Sequence, residues 1–408
     1  MEVYLVGGAV RDGLLGLPVS ERDWVVVGAR PEDLQVQGYI PVGREFPVFL
    51  HPQTKEEYAL ARLERKTSPG YRGFVTQFSP DVSLEDDLRR RDLTINAMAQ
   101  DESGRIVDPY GGQRDLENKI LRHVSDAFVE DPVRILRLAR FAARFTDLGF
   151  TVATETVALM RQMVGSGEVN ALVPERVWQE TERALGESRP DVFFQTLREC
   201  GALAVIFPEI DALYGVPQPP RWHPEVDTGV HVMLAVRYAA SIGAPTSVRF
   251  AVLMHDLGKA LTPKNQWPSH RGHEEAGVPL VEALSERLRV PNSYRELAVL
   301  GARHHAVIHR AAELRTDTIL RLFETTDAFR RPERFLELLQ VCESDARGRT
   351  GLETQPYPQV DYLRRARDAA AAAHLTEEER AGLKGPAIGE QIRRKRLAAI
   401  SEVKEKGP

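Results

Sequence analysis

The stretch that most limits what this chain can fold into is Leu5–Gly28, LVGGAVRDGLLGLPVSERDWVVVG. Its pattern predicts a strand over Val3–Val6, a glycine turn, a short helix over Ala9–Leu15 and a second strand over Asp23–Val27. Gly7 and Gly8 have no Cβ, so backbone N–H groups in the turn can approach a polyphosphate, with the helix N-terminus behind them. Arg11, in the first turn of that helix, adds a fixed charge for the phosphate. Glu21 and Asp23 are two residues apart, so on extended chain both side chains leave the same face and form a seat for a cation. A glycine pair after a strand is usually only a turn, and an acidic pair at this spacing is usually a solvated strand face. Together, however, they supply the parts of metal-dependent nucleotidyl transfer: carboxylates for a divalent ion that bridges a triphosphate, and a turn that positions the leaving group.

A chain of 408 residues is too long for one ordinary core, so two or three domains are expected. Hydrophobic residues at 42% and charged residues at 28% describe a globular protein, and the net charge of -5 excludes a generally basic nucleic-acid coat. Any RNA contact therefore falls on local basic strips. Cys200 and Cys342 are too few for a disulfide framework or a cysteine zinc site, which fits a reducing compartment. No stretch approaches the roughly 20 apolar residues of a membrane helix, and the N-terminal apolar run is broken by Gly7, Gly8 and Arg11. The expectation is a cytoplasmic protein without a membrane partner.

Residues 1–122 read as the α/β part, with further strands at Pro47–His51 and Glu57–Arg62. Arg65–Phe74, RKTSPGYRGF, reads as a loop that could fold over substrate. Alternation along Glu57, Ala59 and Ala61 allows Glu57 as a third carboxylate near the cation, but an exposed strand position is the favoured reading. Arg89, Arg90 and Arg91 precede Asp92 and the apolar Leu93–Met98, where a basic run before a helix would oppose the helix dipole and so hint at an anion. DPYGGQRDL, Asp108–Leu116, looks like a glycine turn leading to a helix. From Glu130 the periodicity becomes helical, with Ile135, Leu138, Ala139, Phe141, Ala142 and Phe145 on one side and Arg134, Arg137, Arg140 and Arg144 on the other. The plain reading is an amphipathic helix with a wet basic face. Yet no acidic partner stands at i+4, and Asp131 and Arg134, one turn apart, pair an acceptor with a forked donor that could bond a base edge. PERVWQETERAL, within a helical stretch from Gly149 to about Pro220, looks like a packing helix.

The proline-rich Gly215–Glu225 marks an expected domain boundary. Beyond it histidine crowds, with eight of the 11 histidines between His223 and His309. FAVLMHDLGK puts His255 and Asp256 at the end of an apolar helix; with His231 upstream and Asp345 downstream the set becomes His, His-Asp, Asp from separate helices. Imidazole and carboxylate together suit a divalent transition metal that activates water against a phosphate. His273, His304 and His305 are candidates for the phosphate or a second ion. The tail cluster Arg393, Arg394, Lys395, Arg396 reads first as solubilising, with contact to a nucleic-acid backbone as the alternative.

The segments GGAVRD, RDWVVVG, RRRDLTINAM and EDPVRILRLARFAARF closely resemble those of the bacterial CCA-adding tRNA nucleotidyltransferases, in the form that carries an appended HD phosphohydrolase domain, and the resemblance covers nearly the whole chain. The family's metal pair is Asp-x-Asp; here Glu21 stands first, reaching one methylene further while still offering oxygen to a hard cation. The resemblance implies an α/β head with a polymerase-β-like small sheet (1–122), an all-α neck (123–215), an HD domain (223–350) and a helical tail (351–408). It implies addition of C, C and A to tRNA from CTP and ATP, with Mg²⁺ on catalytic Glu21 and Asp23. Gly8, Arg11, Arg91, Asp131, Arg134, Arg137 and Arg140 would bind the nucleotide, Asp131 and Arg134 serving as a protein template and Arg137 and Arg140 holding phosphate or sugar. The 108–116 segment would be a hinge. His231, His255, Asp256 and Asp345 would hold the HD metal, with Ni²⁺ a candidate, for 2′,3′-cyclic phosphodiesterase, 2′-nucleotidase and phosphatase activities. The chain would act as a monomer or homodimer. Two other readings are a poly(A) polymerase on the same head, and a tRNA-binding HD hydrolase whose head is inactive because of Glu21.

Overall fold

A computed structural model describes residues 1–42, 48–66 and 74–407. The chain forms two compact units, Met1–Ala184 with Val192–Ile206, and Leu185–Asp191 with Phe207–Pro408. In the first, the strands are β1 (Glu2–Val6), β2 (Asp23–Val27), β3 (Ile40–Val42), β4 (Val48–Leu50), β5 (Glu57–Leu60), β6 (Arg62–Lys66), β7 (Phe74–Phe78), β8 (Ala99–Gln100) and β9 (Ile106–Val107). Among the described residues, seven of them form one sheet in the order β3-β4-β5-β2-β1-β8-β9, and β6 pairs with β7 apart from it.

DWVVV becomes the middle strand because it can bury both of its faces. Val25 packs with Val6, Ala61, Val82, Leu88, Ala97 and Ala99 on one side, and Val26 with Leu34, Phe49, Tyr58 and Leu60 on the other. β2 runs antiparallel to β1, with Asp23 opposite Val6, and parallel to β5, with Asp23 opposite Glu57. The acidic end of β2 thus lies where β1 runs out into the glycine turn. The expected strands form nearly as read, although Pro47 and the centre of the expected loop, residues 67–73, lie outside the described residues.

One expectation needs correcting. The arginine run does not precede a helix: it closes the Leu84–Arg89 helix, whose Ser83 cap accepts from the Asp86 backbone N–H. Cations there agree with the helix dipole instead of opposing it, and Thr94–Asn96 is only a short 3-10 turn. The 108–116 segment forms a turn at Gly111, φ 76°, and a helix at Gly112–Glu117. That helix is packed hard against the turn before it, since a Cβ on Gly112 would lie 2.3 Å from the Thr94 carbonyl oxygen.

The second unit is helical. Thr228–Ser241, Thr246–Met254, His273–Arg287, Asn292–His309 and Pro332–Arg347 pack around a shared apolar core. The proline-rich segment lies inside this unit, and the chain passes between units upstream of it. The tail cluster is engaged within the unit: Arg393 with Asp317 and Glu324, Arg394 with Glu390, Lys395 with Glu379, and Arg396 over the Phe329 ring. Among the described residues no helix is long and apolar enough to cross a membrane.

Candidate functional site

In the head, Gly7 caps the Gly8–Leu14 helix at φ 68°, ψ -125°, a conformation that suits glycine alone. A Cβ there would lie 2.9 Å from Nη1 of Arg91, so the missing side chain lets that guanidinium lie against the turn. Asp23 faces the same region. The protein around its carboxyl raises its pKa, Arg91 opposes that rise and Glu21 adds to it. Glu21 precedes β2 in irregular chain and is exposed, as is Glu57. All three carboxylates therefore gather at one end of two neighbouring strands.

Arg91 also joins this end to the neck. Its carbonyl, and that of Arg90, accept from the Arg134 guanidinium at 3.5 and 2.6 Å, and Arg134 also donates to Ala127 O at 2.9 Å. The cation seat and the proposed base reader thus stand on either side of a single arginine.

The Val133–Phe145 helix does not carry a wet basic face. Its arginines meet acids from other elements, which no i+4 pattern can reveal: Arg137 donates to Asp92 at 2.8 Å, Arg140 to Glu180 at 2.7 Å and Arg144 to Asp12 at 3.0 Å. Burial alone would raise the pKa of Asp92, but the Arg137 guanidinium and the Asn96 amide hold it well below the usual carboxylate range. Arg11 is likewise engaged inside the first unit. It is only 3% exposed, donates to Asp12 and to Asn96 Oδ1, and lies 5.0 Å over Phe141 and 5.1 Å over Phe145. Arg140 is 9% exposed and lies 4.6 Å over Phe141. Both guanidiniums are directed into the packing around the 133–145 helix.

The Asp131 carboxylate is engaged from another element. Its two oxygens accept from Nη1 and Nη2 of Arg176 at 3.1 and 2.8 Å, on the Pro174–Gly186 helix that the sequence presented as mere packing. The signal for it was available: Arg176 and Glu180 are one turn apart on a face that meets the 133–145 helix.

In the second unit, His231, His255, Asp256 and Asp345 come together, all at most 2% exposed. The imidazoles are oriented by their far nitrogens. Nδ1 of His255 donates to Val252 O at 2.7 Å, that of His273 to His270 O at 2.8 Å and that of His305 to Gly301 O at 3.0 Å; that of His231 faces Glu225 at 2.8 Å. Every one of these rings therefore turns Nε2 inward. His231 Nε2 lies 3.1 Å from Asp345 Oδ1, and His255 Nε2 lies 3.1 Å from Asp256 Oδ2 and 3.8 Å from Asp345 Oδ2. Rings anchored in this way aim their inner nitrogens at two carboxylates, a donor set that suits a cation, and Asp256 and Asp345 push the pKa of His255 up against its burial. His255 Nε2 and Asp256 Oδ1 are buried without a well-formed hydrogen bond, which fits ligand atoms of a metal. Lys259 at 2.6 Å from Asp256 and Arg349 at 3.0 Å from Asp345 add positive charge. Burial raises the pKa of both aspartates, and the surrounding histidines, Lys259 and Arg349 hold them ionised. His304 stands outside every candidate ligand group among the described residues, whereas His305 and His273 are in one.

Residues 3–122 match the family described as Poly A polymerase head domain, 149–214 the one described as Probable RNA and SrmB- binding site of polymerase A, and 230–347 the HD domain. The chain is 62% identical over 404 residues to the Multifunctional CCA protein of Thioalkalivibrio sulfidiphilus, covering 99% of each chain. It is 62% identical over 402 residues to that of Nitrosococcus oceani, covering 98% of each. Its fold is similar to that of the Bacillus stearothermophilus CCA-adding enzyme in complex with CTP, with 24% identity and a TM-score of 0.64 over 98% of this chain and 89% of that one.

Proposed function

Because this chain belongs to the multifunctional CCA proteins, tRNA nucleotidyltransferases with an HD domain, we propose that it adds C, C and A to tRNA 3′ ends from CTP and ATP, in the cytoplasm, during tRNA maturation and repair. The observation that supports the head's part is the continuity from Asp23 through Arg91 to Arg134, whose backbone N–H donates to Asp131 O at 3.0 Å. Glu21 and Asp23 would hold Mg²⁺, which when bound would supply positive charge for the triphosphate and lower the pKa of the attacking hydroxyl. The glycine turn at Gly8 and the Arg91 guanidinium receive the triphosphate, whose α-phosphate is attacked by the tRNA 3′-hydroxyl as pyrophosphate leaves. Asp131 and Arg134 read the base edge, with one Asp131 oxygen exchanging Arg176 for the base. Arg137 stands at the rim of this surface, while Arg11 and Arg140 fix the phenylalanine face beneath it.

The HD domain is proposed as a separate phosphohydrolase acting on 2′,3′-cyclic phosphates, 2′-nucleotides and phosphomonoesters, with a divalent transition ion such as Ni²⁺ on His231, His255, Asp256 and Asp345. The head, neck, HD domain and tail divide near residues 122, 215 and 350 in this reading.

Two assays test it. Transfer RNA lacking its last three nucleotides is incubated with CTP and ATP and the product ends are sequenced; CCA and a stop are expected. Extension by ATP alone without a stop would favour a poly(A) polymerase, the activity for which the head's matching family is described. Asp23→Ala is expected to abolish incorporation and spare phosphatase activity, and His255→Ala the reverse. Loss of both activities in either folded variant would refute two independent sites.

A further inference from the structure

We propose that the proline-rich segment Gly215–Glu225 is the substrate wall of the HD site, where a nucleoside phosphate places its phosphate on Arg349 and its base on Trp222; this rests on the phosphohydrolase reading above. The segment reads in the sequence as a domain boundary, but it lies inside the second unit and is tied to the buried cluster at three points. Gln218 accepts from the Lys259 ammonium, which also meets Asp256. Glu225 Oε1 lies 2.8 Å from Nδ1 of His231. The His223 ring stands 4.6 Å from that of His231, edge to face. A plain connection between domains would need none of these ties.

The tip of the segment is a tight turn, in which the backbone N–H groups of Trp222 and His223 both donate to Pro219 O at 3.0 Å. It parts two consecutive side chains, burying His223 at 9% exposure and leaving Trp222 at 55%. The Arg221 guanidinium lies 4.8 Å over the indole. An open aromatic surface backed by a cation is what a nucleic-acid base stacks on.

Arg349 joins this tip to the cluster. Its Nη2 donates to Asp345 Oδ1 at 3.0 Å and its Nη1 makes a long 3.4 Å contact with Trp222 O, while its Nε–H is buried without a hydrogen-bond partner among the described residues. A guanidinium carries five donors in a planar fork that matches phosphate oxygens, and this fork is only partly used. Gly348 puts it in place: a Cβ there would lie 2.3 Å from Ala235 Cα and 2.7 Å from Ala235 N. Only glycine lets the end of the Pro332–Arg347 helix close onto the Thr228–Ser241 helix that carries His231. The Thr350 N–H then donates to Glu225 Oε2 at 3.3 Å, fastening the turn to the wall. A phosphate on Arg349 therefore lies beside Asp345, with Trp222 adjoining the same guanidinium.

The test uses the full chain with Ni²⁺ supplied and compares hydrolysis of adenosine 2′-phosphate with that of glycerol 2-phosphate, which has no base. Trp222→Ala should lower kcat/KM for the nucleotide by roughly 5–30-fold and leave glycerol 2-phosphate within about twofold, as loss of one stack requires. Trp222→Phe should restore most of the difference. Arg349→Gln should raise KM for both compounds, and the inhibition constant of inorganic phosphate, by roughly tenfold or more, with kcat less affected. A tRNA ending in a 2′,3′-cyclic phosphate tells the source of the nucleotide: a Trp222→Ala loss seen there too places an RNA terminus on the indole, and a loss on the mononucleotide alone a free nucleotide. Equal effects of Trp222→Ala on both small substrates, or none, would overturn the base platform. Lower kcat at unchanged KM in Arg349→Gln would mean that this side chain only orients Asp345. In both cases hydrolysis by the parent protein keeps the phosphohydrolase reading, whereas a parent that hydrolyses neither compound would remove that reading and this assignment with it.

Discussion

Arg176 is the residue whose replacement tests the base-reading assignment most directly. It grips Asp131 through two hydrogen bonds of 3.1 and 2.8 Å, in a pair whose side chains are 27% and 20% exposed. A hydrogen bond to a charged group contributes about 1.5–3 kcal/mol, and partial exposure screens it, so about 1–2 kcal/mol is the scale for aiming Asp131. If that energy is used to orient the carboxylate toward a base, Arg176→Ala should lower kcat/KM for both CTP and ATP by roughly 5–30-fold. Arg176→Lys should recover little of it, because a point charge cannot reproduce the fork. Single-nucleotide addition to tRNA ending one or two residues short, with each nucleotide offered alone, measures both constants. A double-mutant cycle with Asp131→Ala isolates the pair, and the losses should be strongly less than additive. Unchanged nucleotide constants in Arg176→Ala, with only a lower melting temperature, would show that the Asp131–Arg176 bond is architecture and that the base is read elsewhere.

Three further outcomes are expected. Gly258→Ala should destabilise the second unit by about 1–3 kcal/mol through overpacking against His273 O and Gly277 N, and should reduce phosphatase activity while CTP addition persists; activity assays on both substrates decide it. Glu57→Gln should raise the Mg²⁺ concentration needed for half-maximal CTP addition several-fold if the register pairing with Asp23 makes it a third ligand, and an unaltered Mg²⁺ titration would leave it an ordinary strand residue. His123, bonded through Nδ1 to Thr156 at 2.7 Å, has its pKa lowered by burial. The unfolded chain therefore takes up that proton first, and stability should fall as pH drops through about 6.5, the unfolded value. Urea midpoints of His123→Gln and the parent protein between neutral and mildly acidic pH should diverge in that sense, the parent being more acid-sensitive.

Much of this protein was written in local patterns. Alternation and glycine placement determine β1, the turn and β2, because a strand needs period 2 and a left-handed turn needs a residue without Cβ. The His-Asp pair after an apolar helix, with a histidine before and an aspartate after, likewise marks residues that the fold gathers into candidate metal-binding groups. Tertiary structure alone decided who meets whom. The arginines of the 133–145 helix find Asp92, Glu180 and Asp12, which lie 45, 40 and 132 residues away, so no helical spacing could disclose that the face is buried and neutralised. The Asp131 carboxylate bonds Arg176, 45 residues on, while the Arg134 guanidinium, three residues away in sequence, donates to the carbonyls of Arg90, Arg91 and Ala127. Sequence spacing fixes direction along one element, whereas charge pairing depends on distances between elements, and those arise only when the core closes.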